Sequence, residues 1–94
     1  MKHLHLAHQC YKRALALFPK DSSTWNYWIL LRDLGYCEVR TGNIKDGELL
    51  IDQFLNKFPS SDNFSKKHFN VGKVYKSECL IERNKPEEAI QILD

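Results

Sequence analysis

Hydrophobic residues recur along this chain at the three- and four-residue spacing of α-helices. Between residues 6 and 18 they follow helical spacing, and Pro19 ends the stretch because proline cannot continue a helix interior. Residues 24–41 are apolar on nearly all sides, so we expect a helix that is packed from more than one direction. Further helices are predicted over residues 44–58, residues 64–83 and from residue 86 onward. No strand pattern competes with these elements, and the predicted fold class is all-α.

Turn residues separate the predicted helices. Gly42 is expected to end the second helix, since glycine readily adopts the left-handed conformation of a helix C-cap. Asn43, with Asp46 three residues later, has the spacing of a capping box at the start of the third helix. Pro86 lies in the first turn of the last helix, where Glu87 and the residue after it face the positive end of the dipole.

One short motif occurs twice. The pattern Leu-x-x-Phe-Pro spans residues 15–19 and returns forty positions later at residues 55–59. A repeated unit of helix, turn, helix and proline is the signature of a solenoid, whose hairpins bury their apolar faces against neighbouring hairpins. The chain is therefore predicted to be one helical-repeat segment over residues 1–94. Its parts are the second helix of one unit (1–19), a full hairpin (22–59) and a partial hairpin (62–94).

The repeated residues resemble the tetratricopeptide pattern W-x2-L-G-x2-Y, then A-x3-F, then P. Matches to parts of this pattern are Leu31, Leu34 and Gly35 in one first helix, and Ala7-x3-Tyr11, Gly47-x3-Ile51 and Ala89-x3-Leu93 in three second helices. Glu38 departs from it, since an aromatic residue is usual there. The longer unit, and "YKRALALFP" shortly before Trp25, are more similar to the half-a-TPR (HAT) branch. At Gly47 the small residue is expected where the two helices of a hairpin cross closely.

The resemblance implies an α-solenoid of antiparallel helical hairpins that forms a segment of a longer array. Such families hold assemblies together, and half-a-TPR members occur mostly in nuclear RNA-processing complexes. The implied function is a protein-interaction scaffold in a multi-subunit RNA-processing or RNA-decay assembly, intracellular and in the nucleus rather than the cytoplasm. The alternatives are a general tetratricopeptide adaptor that binds a partner peptide in its groove, and direct binding of RNA.

The resemblance also implies that the first helix of each hairpin lines a groove. Helical spacing places one stripe of side chains along the second predicted helix: Trp25, Ile29, Arg32, Tyr36 and Arg40. Arginine and aromatic residues dominate the energetics of interfaces, which makes this stripe the candidate partner-binding groove. The alternative is that Trp25, Ile29 and Tyr36 belong to the core while the arginines snorkel or pair with neighbours such as Asp33. A clamp for acidic peptide tails is not expected, because Tyr36 occupies the position of the asparagine that such a clamp uses.

A second candidate surface lies on the fourth predicted helix. Its basic residues fall on one arc, at Lys66, Lys73, Lys76 and Arg83. Such a row could contact the phosphates of RNA. The alternative is an ordinary solvated helix face.

Composition and charge exclude several classes of function. The net charge is only +2, from 14 basic and 12 acidic residues, and no apolar run is long enough for a membrane helix. The three cysteines are scattered and are expected to be buried, reduced thiols. His5 and His8 are three positions apart but lack a third ligand, so no metal or other cofactor is predicted. Pairings of Cys10 with His8, or of Cys79 with its neighbour Glu78, lie in no nucleophile motif, so no enzyme activity is expected.

Apolar residues near both ends are expected to lack covering chain. They are Leu4, Leu6 and Leu17 at one end, and Ile90, Ile92 and Leu93 at the other. Uncovered apolar surface drives association or disorder. The segment is therefore expected to self-associate or fray at both ends unless neighbouring repeats are present.

Overall fold

The computed structural model describes residues 2–18, 25–58 and 63–93, which form helices and turns without a strand. The helices are α1 (Lys2–Ala16), α2 (Trp25–Arg40), α3 (Ile44–Lys57), α4 (Asn63–Glu82) and α5 (Pro86–Leu93). The predicted all-α class is confirmed. The predicted proline stops at Pro19 and Pro59 lie outside the described residues.

Each helix packs against the next one along the chain, and α2 also contacts α4. Helix α2 therefore touches α1, α3 and α4, which confirms the expectation that it is packed from more than one direction. The buried apolar residues come from α2, α3, α4 and α5, together with Phe58, which follows α3. They are Leu31, Leu34, Cys37, Val39, Ile51, Phe54, Phe58, Cys79, Leu80 and Ala89.

Helices α2 and α4 each end in a turn of the same hydrogen-bonded type. The N–H of Asn43 donates to the carbonyl of Glu38 at 2.8 Å, and the N–H of Lys85 donates to the carbonyl of Leu80 at 2.7 Å. This is the six-to-one bond of a Schellman motif, which requires a left-handed residue just before the donor. Gly42 supplies it at φ 101° and Asn84 supplies it at φ 61°. The predicted role of Gly42 as the left-handed residue that ends α2 is confirmed. Asn84 has the same role at the end of α4, 42 positions later.

The predicted capping box at the start of α3 is wrong. The side chain of Asn43 caps no backbone N–H of α3; it donates instead to Oε2 of Glu38 at 2.9 Å. A capping box also needs the N–H of Asn43 as the donor to Asp46. That N–H is already committed to the Schellman bond with the carbonyl of Glu38.

The closest approach of α2 and α3 is where Gly35 faces Gly47. A β-carbon placed on Gly35 would lie 2.8 Å from the carbonyl oxygen of Gly47. One placed on Gly47 would lie 2.8 Å from the backbone nitrogen of Val39 and would also meet the carbonyl of Gly35. Backbone meets backbone here, so no side chain fits at either position. The predicted close crossing at Gly47 is confirmed, and Ala89 of α5 stands 42 positions later at 3% exposure.

A charge network centred on the buried Glu48 joins α3 to α4 and to Arg83, the residue after α4. Glu48 is 7% exposed and accepts hydrogen bonds from Lys76 at 2.5 Å and from Arg83 at 2.6 Å. Lys76 also binds Asp52, at 2.8 Å to one oxygen and 3.0 Å to the other. Burial acts to raise the pKa of Glu48, but the bonds from Lys76 and Arg83 outweigh it and hold the pKa below its ordinary value of 4.5.

A side-chain hydrogen bond joins α1 to α2. His8 of α1 bonds to Oε1 of Glu38, and His8 stands forty positions before Glu48. Burial acts to raise the pKa of Glu38, but the bonds from His8 and Asn43 prevail and lower it.

The crossing of α2 and α3 makes a prediction for Gly47. Replacing Gly47 with Leu should lower the free energy of unfolding by about 1–3 kcal/mol, because the new side chain overpacks a contact between two backbones. Thermal unfolding followed by circular dichroism measures the effect. Gln53→Leu, at an exposed position of the same helix, is the control and should change little. A melting temperature unchanged in Gly47→Leu would contradict the close crossing.

The charge network makes a second prediction. Glu48→Gln should cost on the order of 1–3 kcal/mol, since Lys76 and Arg83 lose a buried acceptor. Asp52→Asn is the matched control; its side chain is 41% exposed, so it should cost at most about 1 kcal/mol. Both are measured by urea unfolding.

The cost of Glu48→Gln should depend on pH in one direction. A carboxyl whose pKa is lowered by folding adds stability above its unfolded pKa, and that stability is lost as pH falls through the folded value. The difference between wild type and Glu48→Gln should therefore be present at neutral pH and shrink once pH falls below 4.5. A difference that grows with acidity would contradict the network.

Candidate binding cleft

The centre of the predicted α2 stripe is closed by α4. Arg32 is only 6% exposed; its guanidinium donates to the carbonyl of His68 at 3.0 Å and to Asp33 at 2.8 and 3.0 Å. Its Cζ atom lies 5.5 Å from the ring centres of both Phe54 and Tyr75. A buried arginine with these partners ties α2 to α4 and α3. The expectation that Arg32 lines an open groove does not match this position.

The neighbouring stripe residues are also partly covered. Tyr36 stacks on Tyr75 of α4, with ring centres 4.1 Å apart and planes at 18°. Burial raises the pKa of Tyr36, and the nearby carboxylate of Glu78 raises it further. Ile29 is half-buried, and the side chain of Trp25 lies outside the described residues.

Arg40, at the end of the stripe, is exposed and lines a cleft. The cleft lies between the C-terminal ends of α2 and α4, above the turn that joins α2 to α3. We call it the α2–α4 cleft, and its lining residues are Val39, Arg40, Gly42, Ile44, Glu78, Ile81 and Glu82. Among the stripe residues whose side chains are described, Arg40 is the exposed one.

The α2–α4 cleft combines apolar surface with charge. Ile81 is 57% exposed, which is high for an isoleucine, whereas Val39 is buried and Ile44 is half-buried beside it. Arg40 lies on the α2 side, and Glu78 and Glu82 lie on the α4 side, four residues apart. Such a surface can pack an aliphatic side chain and pair with a charged one, which are the contacts of peptide recognition.

The predicted basic arc on α4 is divided by the fold. Lys76 and Arg83 face α3, where Glu48 binds both of them. Lys66 is exposed and Lys73 is half-buried, and neither makes an ion pair with another described residue. Two of the four cations are thus neutralised inside the protein, which leaves Lys66 and Lys73 for contacts with phosphate.

The cysteines and histidines lie apart from the α2–α4 cleft. Cys37 and Cys79 are buried, and burial raises the pKa of Cys79 to about 11, so it stays a neutral thiol. Cys10 is exposed, contrary to the expectation that all three thiols are buried. In residues 2–18, 25–58 and 63–93, no cluster of three metal-binding side chains is found. None of the helices in those ranges has the length and hydropathy to cross a membrane.

Sequence reasoning found Arg40 but missed the acidic wall of the α2–α4 cleft. Glu78 and Glu82 were visible as a like-charged pair at the end of a helix, which is an unfavourable arrangement. Their position opposite Arg40 depends on the packing of α4 against α2. Comparison with protein-family models, curated proteins and solved structures gives no match to this chain.

Proposed function

We propose that this chain is a protein-interaction module built as a segment of an α-solenoid of antiparallel hairpins. Three features support the repeat. The turns at Gly42 and Asn84 make the same hydrogen bonds, small residues follow each of them at Gly47 and Ala89, and every helix packs on its successor. Together with the resemblance to tetratricopeptide and half-a-TPR motifs, they favour hairpins that stack on one another.

The main observation in support of a binding function is that the side chain of Ile81 is exposed in a cleft whose sides carry Arg40 on α2 and two glutamates on α4. A large aliphatic side chain in a concave site gains by being covered, and aliphatic contacts with a charged rim are the usual anatomy of a recognition site. The partner is a polypeptide whose apolar side chain covers Ile81. Arg40, the exposed end of the predicted stripe, borders the same surface.

The resemblance to half-a-TPR proteins supports a nuclear assembly that processes or degrades RNA as the setting. Contact with RNA would then be made chiefly by other subunits. Direct binding of RNA through α4 is less favoured, because Lys76 and Arg83 pair with Glu48. Of the basic arc, Lys66 and Lys73 remain for phosphates.

Exposed apolar residues on α1 and α5 fit the same proposal. Leu6 and Leu17 on the α1 side are 59% and 85% exposed, and Ile90 and Leu93 of α5 are 61% and 52% exposed. Side chains of this kind would be covered by adjoining helical units or by a second copy of the chain.

The test of the proposal is a pair of matched substitutions on α4. Ile81→Asp should weaken binding of partner proteins purified from nuclear extract by about tenfold or more, because it removes the aliphatic contact and would bury a carboxylate beneath the partner's apolar side chain. Val74→Asp makes the same change at a position of α4 that is 44% exposed and outside the cleft, so it should leave affinity unchanged. Affinities are measured by calorimetry with the purified partner.

Two controls decide the outcome. Circular dichroism should show equal helicity in both variants, and the set of partners should survive treatment with ribonuclease. Equal affinities for Ile81→Asp and Val74→Asp would contradict the cleft as the binding site. Loss of all partners with ribonuclease would favour RNA as the ligand instead.

A further inference from the structure

The end of α4 has an unfavourable charge distribution. Helices α1, α2 and α3 each carry a basic residue in the last turn, namely Arg13, Arg40 and Lys57. Helix α4 has none there; it has Glu82 in that turn and Glu78 one turn earlier. The C-terminus of a helix is the negative pole of its dipole, so a carboxylate there is disfavoured. Like charges four residues apart also repel each other.

Within the described parts of the chain, the cations nearest the end of α4 are paired with other acids. Lys85, which follows α4, lies 3.8 Å from Glu88. Arg83 directly follows α4, but its guanidinium is turned to Glu48 of α3 at 2.6 Å. Lys76 is likewise bound to Glu48 and Asp52. Among the described residues, no ion pair joins Arg40 to Glu78 or Glu82 across the cleft.

The same two carboxylates border the apolar surface of the α2–α4 cleft. Glu82 is exposed, and Glu78 is half-buried near Tyr36. Two acids face one base across the cleft, and the helix end adds partial negative charge. The cleft therefore favours a ligand that brings both an aliphatic side chain for Ile81 and a positive charge for the α4 wall.

We infer that the α2–α4 cleft binds a basic segment of a partner protein, in which Lys or Arg adjoins a large aliphatic residue. The inference rests on the proposed interaction function and adds the chemistry of the partner. The aliphatic side chain packs on Ile81 and Ile44, while the cation pairs with Glu78 and Glu82. Arg40 repels the cation from the α2 side and so holds it against α4. An acidic peptide or a nucleic acid backbone is negatively charged and is therefore repelled by Glu78 and Glu82.

The test uses peptides that differ only in charge. Short peptides of one design carry leucines at fixed positions and either Lys, Gln or Glu at the remaining polar positions. Each is titrated into the ¹⁵N-labelled protein, and amide shifts are followed for Val39, Arg40, Ile81 and Glu82. The Lys peptide should shift these residues and bind most tightly. Its affinity should fall as salt is raised, since screening weakens pairs of partly exposed charges.

Three variants locate the charge contact. Glu82→Gln should weaken binding of the Lys peptide about fivefold, which is typical of a partly exposed ion pair. Glu87→Gln removes the same charge from an exposed position on α5 outside the cleft and should have no effect. Arg40→Gln should strengthen binding, because it removes the repelling cation. These directions together distinguish the cleft from attraction to acidic residues elsewhere.

The outcomes separate the inference from the proposed function. If the Gln or Glu peptide binds the cleft as tightly as the Lys peptide, the inferred charge preference is overturned and the cleft remains a binding site. Shifts by the Lys peptide outside the cleft, or no binding by any peptide, also overturn the inference. The proposed function fails separately, if Ile81→Asp leaves the binding of the purified partner unchanged.

Discussion

The contact between the backbones of Gly35 and Gly47 is the constraint on which the rest of this structure depends. Because neither residue has a side chain, α2 and α3 approach until the carbonyl of each meets the backbone of the other. That approach brings Val39 and Ile51 into one core cluster with Cys79 of α4. It also fixes the turn at Gly42, and with it the floor of the α2–α4 cleft. A larger residue at either glycine would separate the hairpin and widen the cleft.

Polar side-chain contacts then position the flanking helices on this hairpin. His8 with Glu38 orients α1, and Glu48 with Lys76 and Arg83 orients α4. By holding Arg83 on the α3 side, Glu48 leaves the α4 wall of the cleft acidic. A structural ion pair thus contributes to the charge preference that we infer for the partner.

Features of the fold that depend on local chemistry could be predicted from the sequence, whereas features that depend on distant partners could not. The helices, the left-handed turn at Gly42 and the small residue at Gly47 follow from spacing and glycine chemistry. The capping box failed because Asn43 bonds to Glu38, and the sequence did not show that α4 covers Arg32. Glu48 meets cations 28 and 35 positions away, and the sequence carries no signal for such pairs.

Site-specific photocrosslinking in cells can show whether the α2–α4 cleft receives a basic segment of a protein partner. A photoreactive side chain replaces Ile81 and, as a reference, Val74, and mass spectrometry of the products identifies the crosslinked segments. Position 81 should crosslink to protein segments with Lys or Arg beside the attachment point, and position 74 should not. Equal crosslinking from both positions, or products that contain RNA or acidic segments, would mean that the cleft does not receive such a segment.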